Sequence, residues 1–190
     1  NGNVKVTTQT GDIKGQVKST SGDVEITASG DTLKVSNITG QNVTVTANSG
    51  AITTTKGSTI NATTGDANIT TSTGVINGEV KSASGNVNIT ASGDTLNVSN
   101  VSGNAVTITA DEGKLTTQAG STVSATNGVT ASSQSGDIGG TISGKTVSVT
   151  ATTDSLTVKG SAKINATEGA ATLTATKGTL TTAADSSISA

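Results

Sequence analysis

The 190-residue chain contains no Cys, His, Pro, Met, Phe, Tyr or Trp, and all eleven of its basic residues are Lys. Without His, Cys, Tyr or Arg, the acid–base and nucleophilic inventory shrinks to Asp, Glu, Lys, Ser and Thr. Without aromatic rings there is no stacking platform for a sugar, and none of the large side chains that fill a wide core. Any core must therefore be thin and built from Val, Ile, Leu, Ala and Thr. Only 13% of residues are charged and the net charge is −2. No basic stripe exists to displace phosphate counterions, which argues against a nucleic-acid partner. No apolar run approaches the ~20 residues of a membrane-spanning helix, and no basic-then-apolar leader is present. Membrane insertion is not expected. The lack of Cys suits a secreted bacterial protein and a cytosolic one equally, so it does not decide the compartment.

What the chain has in abundance is Thr (40) and Ser (24), together a third of all residues. Such a composition can mark disorder. The regular placement of Val, Ile and Thr argues for strands instead, because β-branched side chains suit a pleated, half-buried surface. Residues 2–64 align without a gap to 65–127, with 37 identities in 63 positions. The unit STSGDVEITASGDTLKVSNITG at 19–40 returns at 82–103 as SASGNVNITASGDTLNVSNVSG. A third, shorter copy spans 128–168, and a partial fourth spans 169–190. The third is short by about 22 residues, one turn of a solenoid.

Within each copy the fine period is two. Val24 and Ile26 alternate with Asp23, Glu25 and Thr27, as Leu33 and Val35 do with Thr32, Lys34 and Ser36. Such stretches recur every 9–11 residues between Gly, Asn, Asp and Ser, and no stretch keeps a helical period. Comparing copies separates inside from outside. The pairs Val6/Ile69, Ile13/Ile76, Val24/Val87, Ile26/Ile89, Leu33/Leu96 and Ile52/Leu115 stay apolar. Lys5/Asn68, Lys14/Asn77, Glu25/Asn88 and Lys34/Asn97 change charge on the alternate positions. The expected fold is all-β: one right-handed, single-stranded parallel β-helix over 1–190, with about nine turns of about 21 residues. The alternative is a β-sandwich, which has similar strand spacing but would not tolerate the loss of one turn.

No cluster reads as catalytic, and neither a metal nor another cofactor is expected. Asp12, Asp23, Asp31, Asp94 and Asp137 stand in Gly-Asp turns, where an Asp commonly caps its own turn. The glycine- and aspartate-rich nonapeptide of calcium-binding β-helices is not matched. Outward Thr-x-Thr pairs (Thr44/Thr46, Thr107/Thr109, Thr150/Thr152) resemble ice-binding arrays, but their flanking positions vary. Eight Asn-x-Ser/Thr sequons occur, at Asn37, Asn42, Asn61, Asn68, Asn88, Asn97, Asn100 and Asn165. The exchanges at Asn68, Asn88 and Asn97 each place a sequon on the outer face, where a glycosyl acceptor has to be. Residues 1–64 carry a charge of +1, against −3 for 65–127 and 0 for 128–190. Lys14, Lys18 and Lys34 are therefore candidate contacts for an acidic ligand.

The wording of the repeats resembles the high-molecular-weight adhesins of Haemophilus, a family of two-partner-secreted exoproteins. SSQSGDIGGTISG (132–144), TVSVTATTDSLTV (146–158), INATEGAATLTATKGTLTT (164–182) and the ASGDTL repeats carry the resemblance. It implies a parallel β-helix on the bacterial outer-membrane surface that attaches to a glycan or glycoprotein receptor on host epithelial cells. It also implies export through a dedicated outer-membrane pore, and hexose addition at Asn-x-Ser/Thr by a cytoplasmic glycosyltransferase. That carries over to the eight sequon asparagines alone. The family's secretion and anchoring segments have no counterpart in 1–190. The chain is expected to be a piece of a longer virulence-associated exoprotein. The alternative function is a structural stalk with no receptor contact, and a polysaccharide-degrading enzyme is the third reading.

Overall fold

A computed structural model describes residues 2–190: 23 strands and no helix. Every strand pairing is parallel. The chain winds nine times, and each turn stacks on the one before. The turns open on Val4–Thr8, Val24–Ala28, Val43–Thr54, Ala67–Ile76, Val87–Ala91, Val106–Thr117, Gly128–Ile138, Thr146–Ala151 and Ala171–Ala175, numbered 1 to 9 below. These form a 14-stranded sheet with a second limb. In turns 3, 4, 6 and 7 the two limbs are one continuous strand; elsewhere a bend divides them. A nine-stranded sheet closes the other side, from Val17–Lys18 in turn 1 to Ser187–Ser189 in turn 9.

The alternation read from the sequence sets which atoms face in. Val6, Ile26, Val45, Ile69, Ile89, Ile108, Ala131, Val149 and Leu173 form one interior column. In the second sheet, Ile38, Ile60, Val80, Val101, Val123, Ile142 and Ile164 form another, each at most 1% exposed. Like stacks on like because each side chain meets its neighbours about 4.8 Å above and below. The third interior column, in the second limb, interrupts leucine with glycine. Gly11, Gly74 and Gly136 leave room for Leu33, Leu96 and Leu156 of the following turn. The four interior hydroxyl residues Thr54, Thr71, Thr117 and Ser133 are each at most 4% exposed. Thr54 and Thr117 accept the N–H of Gly78 and Gly139 at 2.8 and 3.0 Å, so their burial leaves no polar atom orphaned. Turns 1 and 9 are covered from one side only. Val4 and Val6 are partly exposed, and Leu180 and Ile188 are 43% and 44% exposed.

The expected turn of about 21 residues holds on average, with successive turns of the Val4 column advancing by 18 to 24 residues. The long steps belong to the turns that carry an extra loop between the sheets. The aspartates do not cap their own turns. Asp23 Oδ1 accepts the backbone N–H of Asn42 at 3.0 Å, and Asp66 Oδ1 that of Asn86 at 2.7 Å. Asp12 and Asp137 lie within strands, and the side chains of Asp31 and Asp94 make no hydrogen bond among the described residues, although their carbonyls accept from Ala51 and Lys114. Asp154 alone bonds the N–H of its own turn, that of Ser155. Stacking is the reason: at each corner the next turn offers an unpaired N–H directly overhead.

Candidate functional site

The polar outer surface divides into columns and corners. Along the first limb, Thr7, Thr27, Thr46, Thr70, Thr90, Thr109, Ser132, Thr150 and Thr174 form an unbroken hydroxyl column. Beside it run Lys5, Glu25, Thr44, Asn68, Asn88, Thr107, Thr130, Ser148 and Thr172. Within that second column Lys5 Nζ lies 3.0 Å from Glu25, and Asn88 Nδ2 donates to Asn68 Oδ1 at 2.9 Å.

The corner leading into the first limb holds a ladder of side-chain carbonyl oxygens. Asn3 Oδ1 accepts from Asp23 N at 2.9 Å, and Asp23 Oδ1 from Asn42 N and Nδ2. Asn42 Oδ1 accepts from Asp66 N, Asp66 Oδ1 from Asn86 N, and Asn86 Oδ1 from Ala105 N and Asn104 Nδ2. Asn104 Oδ1 accepts from Asn127 Nδ2 at 2.8 Å. There the ladder ends, because the next turn brings Lys145.

The ladder sorts the sequons. Asn42 is exposed, but both ends of its amide are bonded. Asn88 has its Nδ2 occupied. Asn37 and Asn100 stand exposed at the opposite corner; their Oδ1 atoms accept from Thr59 N and Thr122 N, which leaves Nδ2 free. Asn61, Asn68, Asn97 and Asn165 are half-buried strand residues whose Nδ2 atoms donate no hydrogen bond among the described residues.

Lys14, Lys18 and Lys34 do not converge. Lys34 lies across from Asp12 in the first sheet's second limb, and Lys14 pairs with that same Asp12 at 3.7 Å. Lys18 belongs to the other sheet, opposite Thr39. The strongest charge cluster was not expected. Asp137 lies between Lys114 at 2.8 Å and Lys159 at 2.9 Å, contributed by turns 6 and 8. Burial pushes the Asp137 carboxyl up, but the two ammonium groups, Lys114 first, hold it below its ordinary value. A carboxylate stabilised in its charged form is a weak base. Among the described residues, no three metal-ligating side chains come together. Among the described residues, no helix is long and apolar enough to cross a membrane.

The corner between the second limb and the second sheet is where the turns differ most. In turns 2, 4, 5 and 7 two residues make the connection. In turns 3, 6, 8 and 9 four residues do: 55–58, 118–121, 159–162 and 183–186. Each loop is closed by one N–H donated back three residues: Ser58 to Thr55, Ser121 to Gln118, Ala162 to Lys159 and Ser186 to Ala183. The third loop position is left-handed, at Gly57 (φ 81°) and Gly120 (φ 76°), and in turn 8 at Ser161 (φ 65°). Loops 55–58 and 118–121 form the walls of a groove over turns 4 and 5, of about 560 Å³. Comparisons with family models, with curated proteins and with solved structures give no match to this chain.

Proposed function

We propose that the chain is part of the repeat region of a secreted bacterial surface adhesin, a β-helical rod that holds polar faces out toward glycans or glycoproteins of host epithelial cells. The observation that carries this reading is the division of the repeat into interior columns that stay apolar between copies and outer positions where charge is exchanged. Val24, Ile26, Leu33 and Val35 are buried and retained between copies, while Glu25 and Lys34 face outward and become asparagines. A scaffold that keeps its core and varies its surface is suited to display. The resemblance of the repeat phrases to the Haemophilus adhesins supports the same reading and supplies the export pore and the glycosyltransferase as partners of the whole protein. Beads coated with the purified chain should attach to epithelial monolayers and release when cell-surface glycans are enzymatically removed. No attachment above that of uncoated beads would reject a binding role.

One observation favours a stalk: the third repeat lacks a turn, and the interior columns run on unbroken. Removing residues 24–42, whose place Val43 takes in register, separates the two readings. A stalk keeps full adhesion in the whole protein, whereas a binding surface in this part of the rod loses it. Hexose modification belongs to the same proposal, with Asn37 and Asn100 the most accessible acceptors. Peptide mass spectra of protein from its native host should show hexose increments among the eight sequons, and their absence at every one would remove this part.

A further inference from the structure

We propose that Asn127 is a self-modifying residue, whose carboxamide closes on the Gly128 amide and is lost as ammonia, leaving aspartate and isoaspartate at one corner of the rod. The inference stands apart from the adhesin reading. A backbone nitrogen can attack the side-chain amide of the asparagine before it when its own residue is unhindered and its N–H is free. Eight of the fifteen asparagines precede Val or Ile, whose branched Cβ crowds such a ring. Gly follows only Asn1, Asn77 and Asn127. Asn1 lies outside the described residues.

The corner ladder shows why Asn127 differs. In turns 2 to 6 the N–H that leads into the first limb is capped by a side-chain oxygen of the turn before: Asp23 N by Asn3, Asn42 N by Asp23, Asp66 N by Asn42, Asn86 N by Asp66 and Ala105 N by Asn86. Gly128 holds that position in turn 7. The residue in register beneath it is Ala105, whose methyl has no oxygen to offer. The carbonyl of Asn104 is taken by Asn127 N at 2.8 Å. Among the described residues, no side chain accepts from the Gly128 N–H. Elsewhere in the ladder the N–H after an asparagine is engaged: Val4 N bonds the carbonyl of Asp23, Val43 N that of Asp66 and Val87 N that of Ala105. Asn77 gives the direct comparison. It too precedes glycine, but Gly78 is buried and its N–H donates to Thr54 Oγ1 at 2.8 Å. Asn127 is exposed in a bend, and its side chain makes one bond, Nδ2 to Asn104 Oδ1 at 2.8 Å, which is open to competing water.

The conversion consumes only water. Gly128 N gives its proton to hydroxide and bonds to Asn127 Cγ; the Cγ–Nδ2 bond breaks, and the nitrogen leaves as ammonia with a proton taken back from water. Water then opens the cyclic imide. Opening at Cγ yields aspartate, and opening at the main-chain carbonyl yields isoaspartate, which adds a backbone atom ahead of the strand Gly128–Ile138. The aspartate would stand in register with Lys145, already paired with Glu168 at 3.0 Å. The isoaspartate would displace the Asn127 carbonyl, which accepts from Lys145 N and Thr146 N. It would thus loosen the junction of turns 7 and 8.

The test is to age the purified chain at mildly alkaline pH and physiological temperature, both folded and in denaturant, and to follow each asparagine by peptide mass spectrometry. Isoaspartate is read by methyl transfer from an isoaspartyl methyltransferase. In denaturant Asn77 and Asn127 should convert at similar rates. In the folded chain Asn127 should gain the mass of an amide-to-acid exchange and become methylatable, while Asn77 stays intact. The rate should rise in proportion to hydroxide. Gly128→Ala should suppress the reaction; its Cβ would press only on the movable Thr146 hydroxyl, at 2.8 Å, so the strand spectrum should persist. Ala105→Asp continues the ladder as Asp23 and Asp66 do and places an oxygen beneath the Gly128 N–H. It should slow conversion of Asn127 severalfold in the folded chain and leave the rate in denaturant unchanged. Equal conversion of Asn77 and Asn127 in the folded chain would overturn the proposal. So would a folded chain in which Asn127 stays intact, an unaltered rate in Gly128→Ala, or an unaltered folded-state rate in Ala105→Asp.

Discussion

At the residue scale, the left-handed loop position is the clearest lever. Gly57 and Gly120 occupy it at no steric cost, whereas Ser161 occupies it with a Cβ. Ser161→Gly should raise stability by about 0.5–1 kcal/mol and Gly57→Ala should lower it by about 1 kcal/mol, both read as shifts in the thermal midpoint. Unchanged midpoints in both variants would show that the loops are too loosely held for φ to matter. Asp137 makes a second prediction. Its folded pKa is lowered, so its contribution is present above the unfolded carboxylate value near 3.8 and is lost as pH falls through the lower folded value. Asp137→Asn should cost about 1 kcal/mol at neutral pH and low salt, and less at high salt. The gap from wild type should close as the solution is acidified below pH 4. A gap that persists at acid pH would mean that the carboxylate's packing matters and its charge does not.

At the element scale, the bends of the first sheet are held by close backbone contact. A Cβ on Gly113 would lie 1.8 Å from the carbonyl oxygen of Asp94 in the turn before. Gly113→Ala should therefore force the strand Val106–Thr117 apart at its middle and cost about 1–3 kcal/mol, measurable by denaturant unfolding. The alternation and the glycine punctuation made the strands legible, and the exchanges between copies placed Val24, Glu25, Leu33 and Lys34 on the correct sides. The corner ladder was not legible. Asp23 looks like a turn residue until Asn42 is known to lie directly above it, and that depends on a 19-residue turn among others of 20 or 24. Likewise, Asp137 stands opposite Thr116 and Thr157, and Lys114 and Lys159 reach it diagonally from two positions before and two after those partners. The groove escaped the sequence reading for the same reason. Lys56, Asn77, Asn100 and Gln118 are scattered over four turns, and no local pattern joins them.

At the scale of the whole molecule, each turn pairs its strands with its two neighbours, with Gln118 reaching past one turn to Asn77, so stability is close to a sum of turn and interface terms. Ile89→Asp places a charge in the centre of turn 5, where the wild-type side chain is fully buried. Hydrogen exchange should then accelerate most in turns 4 to 6 and fade toward turns 1 and 9. Uniform acceleration along the chain would instead indicate one cooperative unit. The net charge of −2 makes long-range repulsion a minor term, so salt should act mainly through local pairs such as Lys114–Asp137–Lys159.

The unequal turns have a mechanical meaning. Under tension between its ends, the rod would shorten by one 4.8 Å layer for each turn peeled away, while releasing roughly 60–85 Å of extended chain. The slack comes in portions set by the 18- to 24-residue steps of the Val4 column. A rod of this kind stretches under load as a series of sacrificial links, dissipating work layer by layer while the interior turns hold their shape.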